Sequence, residues 1–183
     1  MGYNYIVWDF MRTGKNGARF PIFCAKIQKF CAARGGEKGF YSFMAAMTRK
    51  EAREEAFRLL FETEFRNGET PDEIYALSTE NREVAENEYI RRVYFGVREH
   101  LEEIDAIITN RSNGWKTSRI TPVSRSAIRL AVFEMLYMDD IPSAVSLNEA
   151  IELVKKFDDA KVRAFVNGVL NGAKDEIEAK KNQ

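Results

Sequence analysis

The sequence predicts an all-α protein, a compact bundle of six to seven helices. Three observations support this fold class. Apolar residues recur at helical spacing from residue 48 onward, helix-capping residues precede these segments, and the connections between them are short. The chain of 183 residues is 45% hydrophobic and 31% charged, which is typical of a soluble globular protein. We find no convincing strand pattern.

The first helix is predicted to begin after Thr48. Thr48 and Glu51 have the spacing of a capping box, in which the hydroxyl and the carboxylate each accept a backbone N–H of the other residue. Asn67–Gly68 ends this segment. The apolar face that follows the cap is formed by Ala52, Ala56, Leu59 and Leu60.

The middle of the chain predicts three further helices. Thr70–Pro71 opens a short one, because proline suits the first helical position. A long helical stretch covers roughly residues 83–111, and Gly96 within it marks either a break or a close helix contact. Thr121–Pro122 opens a helix to about residue 138. That helix is apolar nearly all round, which predicts a central, buried position.

Two helices are predicted at the C-terminal end. Ser146 and Glu149 have the spacing of another capping box and predict the start of the first. The final helix starts near Ala160. The polar tail, residues 174–183, is expected to fray.

Residues 1–46 differ in composition from the rest. They hold seven Lys/Arg and two Asp/Glu, whereas the other 137 residues hold 21 and 26. They also contain ten of the 22 aromatic residues and no leucine. We assign 1–46 as an N-terminal extension and 47–183 as the helical domain. Three interpretations of the extension stay open: translation that really starts at Met47, a disordered basic arm, or an added subdomain.

The residues do not predict an enzyme. The only histidine, His100, lies in a charged stretch, and the two cysteines, Cys24 and Cys31, cannot form a zinc site on their own. No nucleophile motif or carboxylate–histidine cluster is present, so neither a metal nor a cofactor is expected. Neither a membrane-spanning run nor a signal peptide is found, so the expected location is the cytoplasm.

One edge of the first helix has the composition of a nucleic-acid surface. When the helix is wound at about 100° per residue, a stripe of two cations and two aromatics lies beside the core face. The stripe is formed by Lys50, Arg53, Phe57 and Phe61. Cations neutralise phosphates and aromatic rings stack on unpaired bases, so this edge suits single-stranded RNA. Alternatively, the two phenylalanines widen the core face. The pairs Arg91–Arg92 and Lys155–Lys156 are equally ambiguous.

Several segments, in the same order and spacing, resemble a known family, the bacterial transcription antitermination factor NusB. They are "TRKEAREEAFRLLFETEF" (48–65), "YIRRVYFGV" (89–97), "VSRSAIRLAVFEMLYMDDIPSAVSLNEAIELVKKF" (123–157) and "FVNGVLN" (165–171). The resemblance covers residues 48 to about 175.

The resemblance implies a non-enzymatic role on RNA and an all-α fold of two small helical bundles. Members of the NusB family pair with NusE, a small-subunit ribosomal protein. The pair recognises boxA, a short single-stranded element of ribosomal RNA transcripts. The resulting complex on RNA polymerase suppresses termination.

The resemblance also implies RNA-binding residues. The family's basic N-terminal segment matches Arg49, Lys50 and Arg53, its following aromatic matches Phe61, and its final segment matches Phe165 and Asn167. This segment contains fewer arginines than that of some family members, because Glu51 stands where they have arginine.

Two alternatives are a protein-binding helical adaptor without RNA affinity and the NusB-like module of ribosomal RNA methyltransferases. The methyltransferases carry a further cofactor-binding domain that this chain lacks. The sequence leaves the oligomeric state open, a homodimer included.

Overall fold

The computed structural model describes residues 47–112 and 119–181. Contacts divide the chain into two units, Met1–Met47 and Thr48–Gln183, and every helix described below belongs to the second. The interpretations of residues 1–46 fall outside the described residues.

The described ranges contain seven α-helices, one short 3-10 turn (Ala160–Val162) and no strand, which confirms the all-α prediction. The helices are α1 (Arg49–Thr63), α2 (Pro71–Asn81), α3 (Glu88–Glu99), α4 (Leu101–Arg111), α5 (Pro122–Tyr137), α6 (Ser143–Phe157) and α7 (Arg163–Lys181).

The first two helices begin where the capping patterns predict. The Thr48 backbone N–H donates to the Glu51 carboxylate at 2.8 Å, and the Glu51 N–H donates back to the Thr48 hydroxyl at 3.3 Å. Thr70 and Glu73 form the same pair of bonds before α2. Each box gives a hydrogen-bond acceptor to two backbone N–H groups that would otherwise have no partner within the helix.

Helix α5 is the centre of the fold. It contacts α1, α3, α4, α6 and α7. Helix α1 also contacts α2 and α3, and helix α7 also contacts α4 and α6, so two groups of helices share α5. Most α5 side chains are buried, as its nearly continuous apolar pattern predicts. No helix in the described parts of the chain is long and apolar enough to cross a membrane.

The long segment predicted over residues 83–111 is in fact two helices. The break lies at His100, four residues beyond Gly96. The His100 ring stacks on Tyr137 of α5 at 4.2 Å, so a contact between helices marks the break and no helix-breaking residue does. Gly96 instead permits close packing, since a Cβ there would lie 2.2 Å from Cζ of Phe133.

Two predictions for the C-terminal helices are wrong. Helix α6 begins at Ser143 after Pro142, and Ser146 is buried inside it with no capping bond. Pro142 is the N-cap residue, and its carbonyl accepts the backbone N–H groups of Val145 and Ser146 in the first turn. Residues 174–181 do not fray: α7 continues to Lys181, because Ile177 is buried against the core.

Candidate nucleic-acid interface

The first turn of α1 presents two exposed cations. The capping box fixes where the helix begins, and Arg49 and Lys50 are its first two residues. The Arg49 guanidinium lies 4.7 Å above the ring of Tyr89 and 3.8 Å from the Asp140 carboxylate. Its side chain is still half exposed, so both contacts leave it accessible to a ligand. Lys50 is exposed as well.

Arg53 does not lie on the exposed edge that the helical wheel predicts. It is only 3% exposed, and its Nε donates to Oε1 of Glu134 at 2.9 Å. A second nitrogen, Nη1, lies 3.4 Å from the Glu149 carboxylate of α6. The prediction of an exposed Arg53 is therefore corrected: its charge is matched inside the protein, because α5 and α6 cover this side of α1.

A tyrosine completes this buried cluster. The Tyr89 hydroxyl of α3 donates to the same Glu134 oxygen at 2.5 Å. Burial and the neighbouring carboxylate both raise the pKa of Tyr89, so the hydroxyl remains a donor. Burial disfavours the charge on Arg53, but Glu134, Tyr89 and Glu149 together raise its pKa. Arg53, Glu134 and Tyr89, called the buried cluster below, join α1, α3 and α5.

A groove of about 370 Å³ lies between α1 and α6. It is lined by Lys50, Arg53, Glu54, Glu149, Glu152, Leu153, Lys155 and Lys156. The lining therefore holds four cations and three carboxylates. Lys156 Nζ lies 2.7 Å from both carboxylate oxygens of Glu54, and Lys155 Nζ lies 3.3 Å from Glu152.

The aromatic residues of α1 lie toward its other end. Phe57 is buried, as the alternative interpretation of the stripe predicts, and it stacks on Phe157 at 5.3 Å. Phe61 is half-buried, with its ring 6.4 Å from Phe57 and 5.0 Å from Phe65. Phe65 is 58% exposed. The Phe65 ring therefore offers an accessible apolar surface, and it is not part of the groove lining.

The remaining sequence-predicted residues lie on α7. Phe165 is half-buried and Asn167 is exposed. Asn171 donates to the backbone carbonyl of Asn167 at 2.8 Å and to its side-chain oxygen at 3.2 Å. Neither Phe165 nor Asn167 lines the groove. The structure thus brings Lys50 and Arg53 together in the groove, with Arg49 beside Lys50 on the first turn, and leaves the α7 pair separate.

Sequence reasoning missed the partners of Arg53. The available signal was Glu134, a lone acid in an otherwise apolar helix, because a buried charge requires a partner. From sequence alone, Lys155 and Lys156 are only an ambiguous basic pair. Among the residues that the structure describes, no group of His, Cys, Asp or Glu is arranged to hold a metal ion.

Comparison with known proteins places these features in a family. A family model described as the NusB family matches residues 50–175. The transcription antitermination protein NusB of Agathobacter rectalis is 44% identical over 127 residues, which are 68% of this chain and 97% of that protein. NusB of Bacillus subtilis (strain 168) is 41% identical over 133 residues, which are 72% and 98% of the two chains.

Solved structures agree with the sequence matches. T. maritima NusB superposes with a TM-score of 0.66 at 32% identity, covering 72% of this chain and 94% of that one. A structure of antitermination factors NusB and NusE in complex with double-stranded RNA superposes with a TM-score of 0.63 at 32% identity, covering 70% and 96%. The family model and the curated relatives each span about two thirds of the sequence or more, and the chain belongs to the NusB family.

Proposed function

We propose that this protein is a transcription antitermination factor that acts by binding and not by catalysis. Together with NusE it recognises boxA-type single-stranded RNA of ribosomal RNA transcripts. The assembly joins RNA polymerase and suppresses termination, and its place of action is the cytoplasm.

One observation carries this proposal. The similarity to the structure of NusB and NusE with double-stranded RNA extends over 96% of the matched chain, so nearly all of that chain has a counterpart here. The curated relatives named as antitermination proteins are likewise matched over 97–98% of their lengths. A partial match would support the fold alone, whereas a match of this extent supports the shared role.

The RNA surface that we propose begins at the first turn of α1. Arg49 and Lys50 neutralise phosphates there, because both side chains are exposed at the same end of the helix. Arg53 is assigned a different task. It is buried on Glu134, and we expect it to position the turn that carries the other two without contacting RNA.

Base contacts are proposed farther along the same helix. Phe61 remains a proposed RNA contact, and the exposed Phe65 ring beside it offers a face on which an unpaired base stacks. At position 61 the family often has tyrosine. Phenylalanine can stack on a base as tyrosine does, but it has no hydroxyl with which to form a hydrogen bond. Phe165 and Asn167 of α7 remain proposed RNA contacts, and the exposed Asn167 amide suits a base edge.

Fluorescence anisotropy of a labelled boxA-type RNA tests this function. The full chain is titrated alone and with NusE, at several salt concentrations. We expect strong binding that needs NusE and falls steeply with salt, with a slope of roughly 0.7 per phosphate contacted.

An RNA of the same composition in scrambled order is the matched control, and it should bind more weakly. Equal binding of both RNAs would mean that the protein does not read the base sequence and binds through phosphate attraction and stacking alone. No binding of either RNA, with the protein folded by circular dichroism, would refute the proposed function.

A further inference from the structure

We propose that the groove between α1 and α6 extends the RNA surface onto a second helix, with Lys155 and Lys156 as phosphate contacts and Glu54 as an internal competitor for Lys156. The proposal rests on the RNA-binding function above and adds residues that neither the family resemblance nor the helical wheel assigns to RNA.

The first argument is position. Lys155 and Lys156 line one wall of the groove, and Lys50 lines the other, where the first turn of α1 begins. The two lysine side chains of α6 are 54% and 56% exposed, so a ligand reaches them without rearrangement of the core. A single strand that contacts Lys50 and follows the groove would therefore pass in front of Lys155 and Lys156.

The second argument is the balance of charge. Without RNA, each carboxylate in the lining has a cationic neighbour within the groove. The pairs are Glu54–Lys156 at 2.7 Å, Glu149–Arg53 at 3.4 Å and Glu152–Lys155 at 3.3 Å. Lys50 adds a charge beyond these pairs. Phosphates can use the paired lysines only by exchanging partners, because the acids otherwise screen them.

The third argument is that Lys156 can exchange Glu54 for a phosphate at a small cost in free energy. An exposed ion pair is held weakly in water, and Lys156 is more than half exposed. Glu54 keeps a second partner when Lys156 leaves, since Nη2 of Arg58 donates to it at 2.8 Å. Lys156 also lies 5.0 Å from the centre of the Phe157 ring, which keeps its charge at the groove wall.

This arrangement predicts changes of opposite sign in RNA affinity. Removing Lys156 removes a phosphate contact, whereas neutralising Glu54 releases Lys156 and removes a charge that repels phosphate. A merely structural ion pair would give the same sign for both, because either change breaks the same contact.

The test is anisotropy with the boxA-type RNA and NusE, using full-length Lys155→Ala, Lys156→Ala and Glu54→Gln. Lys180→Ala is the matched control: Lys180 is 60% exposed and pairs with Glu176 at 3.0 Å, but it lies outside the groove. We expect each groove lysine variant to bind about twofold to fivefold more weakly, as for one exposed ion pair. The salt slope should flatten by roughly 0.7 for each.

Glu54→Gln should bind RNA more tightly, and Lys180→Ala should bind like the wild type. The inference is overturned if Lys155→Ala and Lys156→Ala both match Lys180→Ala, or if Glu54→Gln weakens binding. If Arg49→Ala still weakens binding in that case, the proposed function stands without the groove.

A second experiment measures the binding of NusE to the same variants without RNA. If the groove lysine variants weaken NusE binding and leave RNA binding unchanged, the groove is a protein interface and the inference is wrong. If the wild type binds no RNA even with NusE, the proposed function fails and this inference fails with it.

Discussion

Arg53 and Glu54 are neighbours in α1, and each forms an ion pair with another helix. The distances are nearly equal, 2.9 Å from Arg53 to Glu134 and 2.7 Å from Glu54 to Lys156. The exposures differ greatly: the first pair is 4% and 0% exposed, the second 21% and 56%. Distance therefore does not distinguish a pair that holds the fold from one that is available to a ligand, whereas burial does.

The physical reason is the cost of removing a partner. A charge left alone in the interior loses both its hydration and its counter-charge, so breaking a buried pair is strongly destabilising. A charge left alone at the surface is hydrated at once. The buried cluster is therefore committed to the fold, and the pair between Glu54 and Lys156 can exchange partners.

The largest loss of stability is expected when one charged member of the buried cluster is removed and the other remains. Arg53→Ala should lower the free energy of unfolding by about 3–5 kcal/mol, because Glu134 is left buried and charged. Urea denaturation of the full chain measures the change. Glu54→Ala is the neighbouring control and should cost less than about 1 kcal/mol, since Lys156 is more than half exposed and is hydrated once the pair is broken. Equal losses in the two variants would contradict the comparison.

A smaller effect is expected from Tyr89→Phe. This change keeps the ring beneath Arg49 and removes only the hydroxyl that donates to Glu134. The loss of a buried hydrogen bond to a charged group should cost about 1.5–3 kcal/mol in urea denaturation. RNA affinity should stay unchanged where the protein is folded. A marked loss of RNA affinity would instead make the hydroxyl part of the RNA surface.

Replacing the whole buried cluster by apolar residues should change the free energy of unfolding only slightly. In the triple variant Arg53→Met, Glu134→Leu, Tyr89→Phe, no charge or donor of the cluster itself remains. Glu149 loses its contact with Arg53 but is 29% exposed, so water can hydrate it. We expect a net change within about 1 kcal/mol, because well-packed apolar replacements of buried ion pairs are often neutral or stabilising. RNA affinity within about twofold of the wild type would support the proposal that Arg53 does not contact RNA. A folded triple variant with strongly weakened RNA binding would return Arg53 to the RNA-contacting set.

Local features of the fold could be predicted from sequence because they depend on nearby residues. The capping boxes at Thr48 and Thr70 join residues three apart. The central position of α5 follows from its apolar composition alone. The start of α6 was misplaced because two signals compete there: Ser146 has the spacing of a cap, but Pro142 begins the helix one turn earlier.

The candidate site was predicted less well because it depends on distant residues. Arg53 meets Glu134 across 81 positions of sequence, and a helical wheel does not reveal which edge of the apolar face another helix will cover. Lys156 meets Glu54 across 102 positions for the same reason. The helical wheel predicts the exposure of Lys50 correctly, and Arg49 stays half exposed beside Tyr89 and Asp140.

The smallest effect on stability is expected at Lys50, which lies on the same helix as Arg53. Lys50→Ala should change the free energy of unfolding by less than about 0.5 kcal/mol, because the side chain is exposed on a regular helical turn. The same variant should bind boxA-type RNA with NusE more weakly at every salt concentration, and its salt slope should flatten by roughly 0.7. Lys180→Ala, which makes the same change in net charge on α7, should leave both quantities at their wild-type values. If the two variants lose RNA affinity equally, only net charge matters. If Lys50→Ala alone loses it, the position of that charge beside the groove is what the RNA recognises.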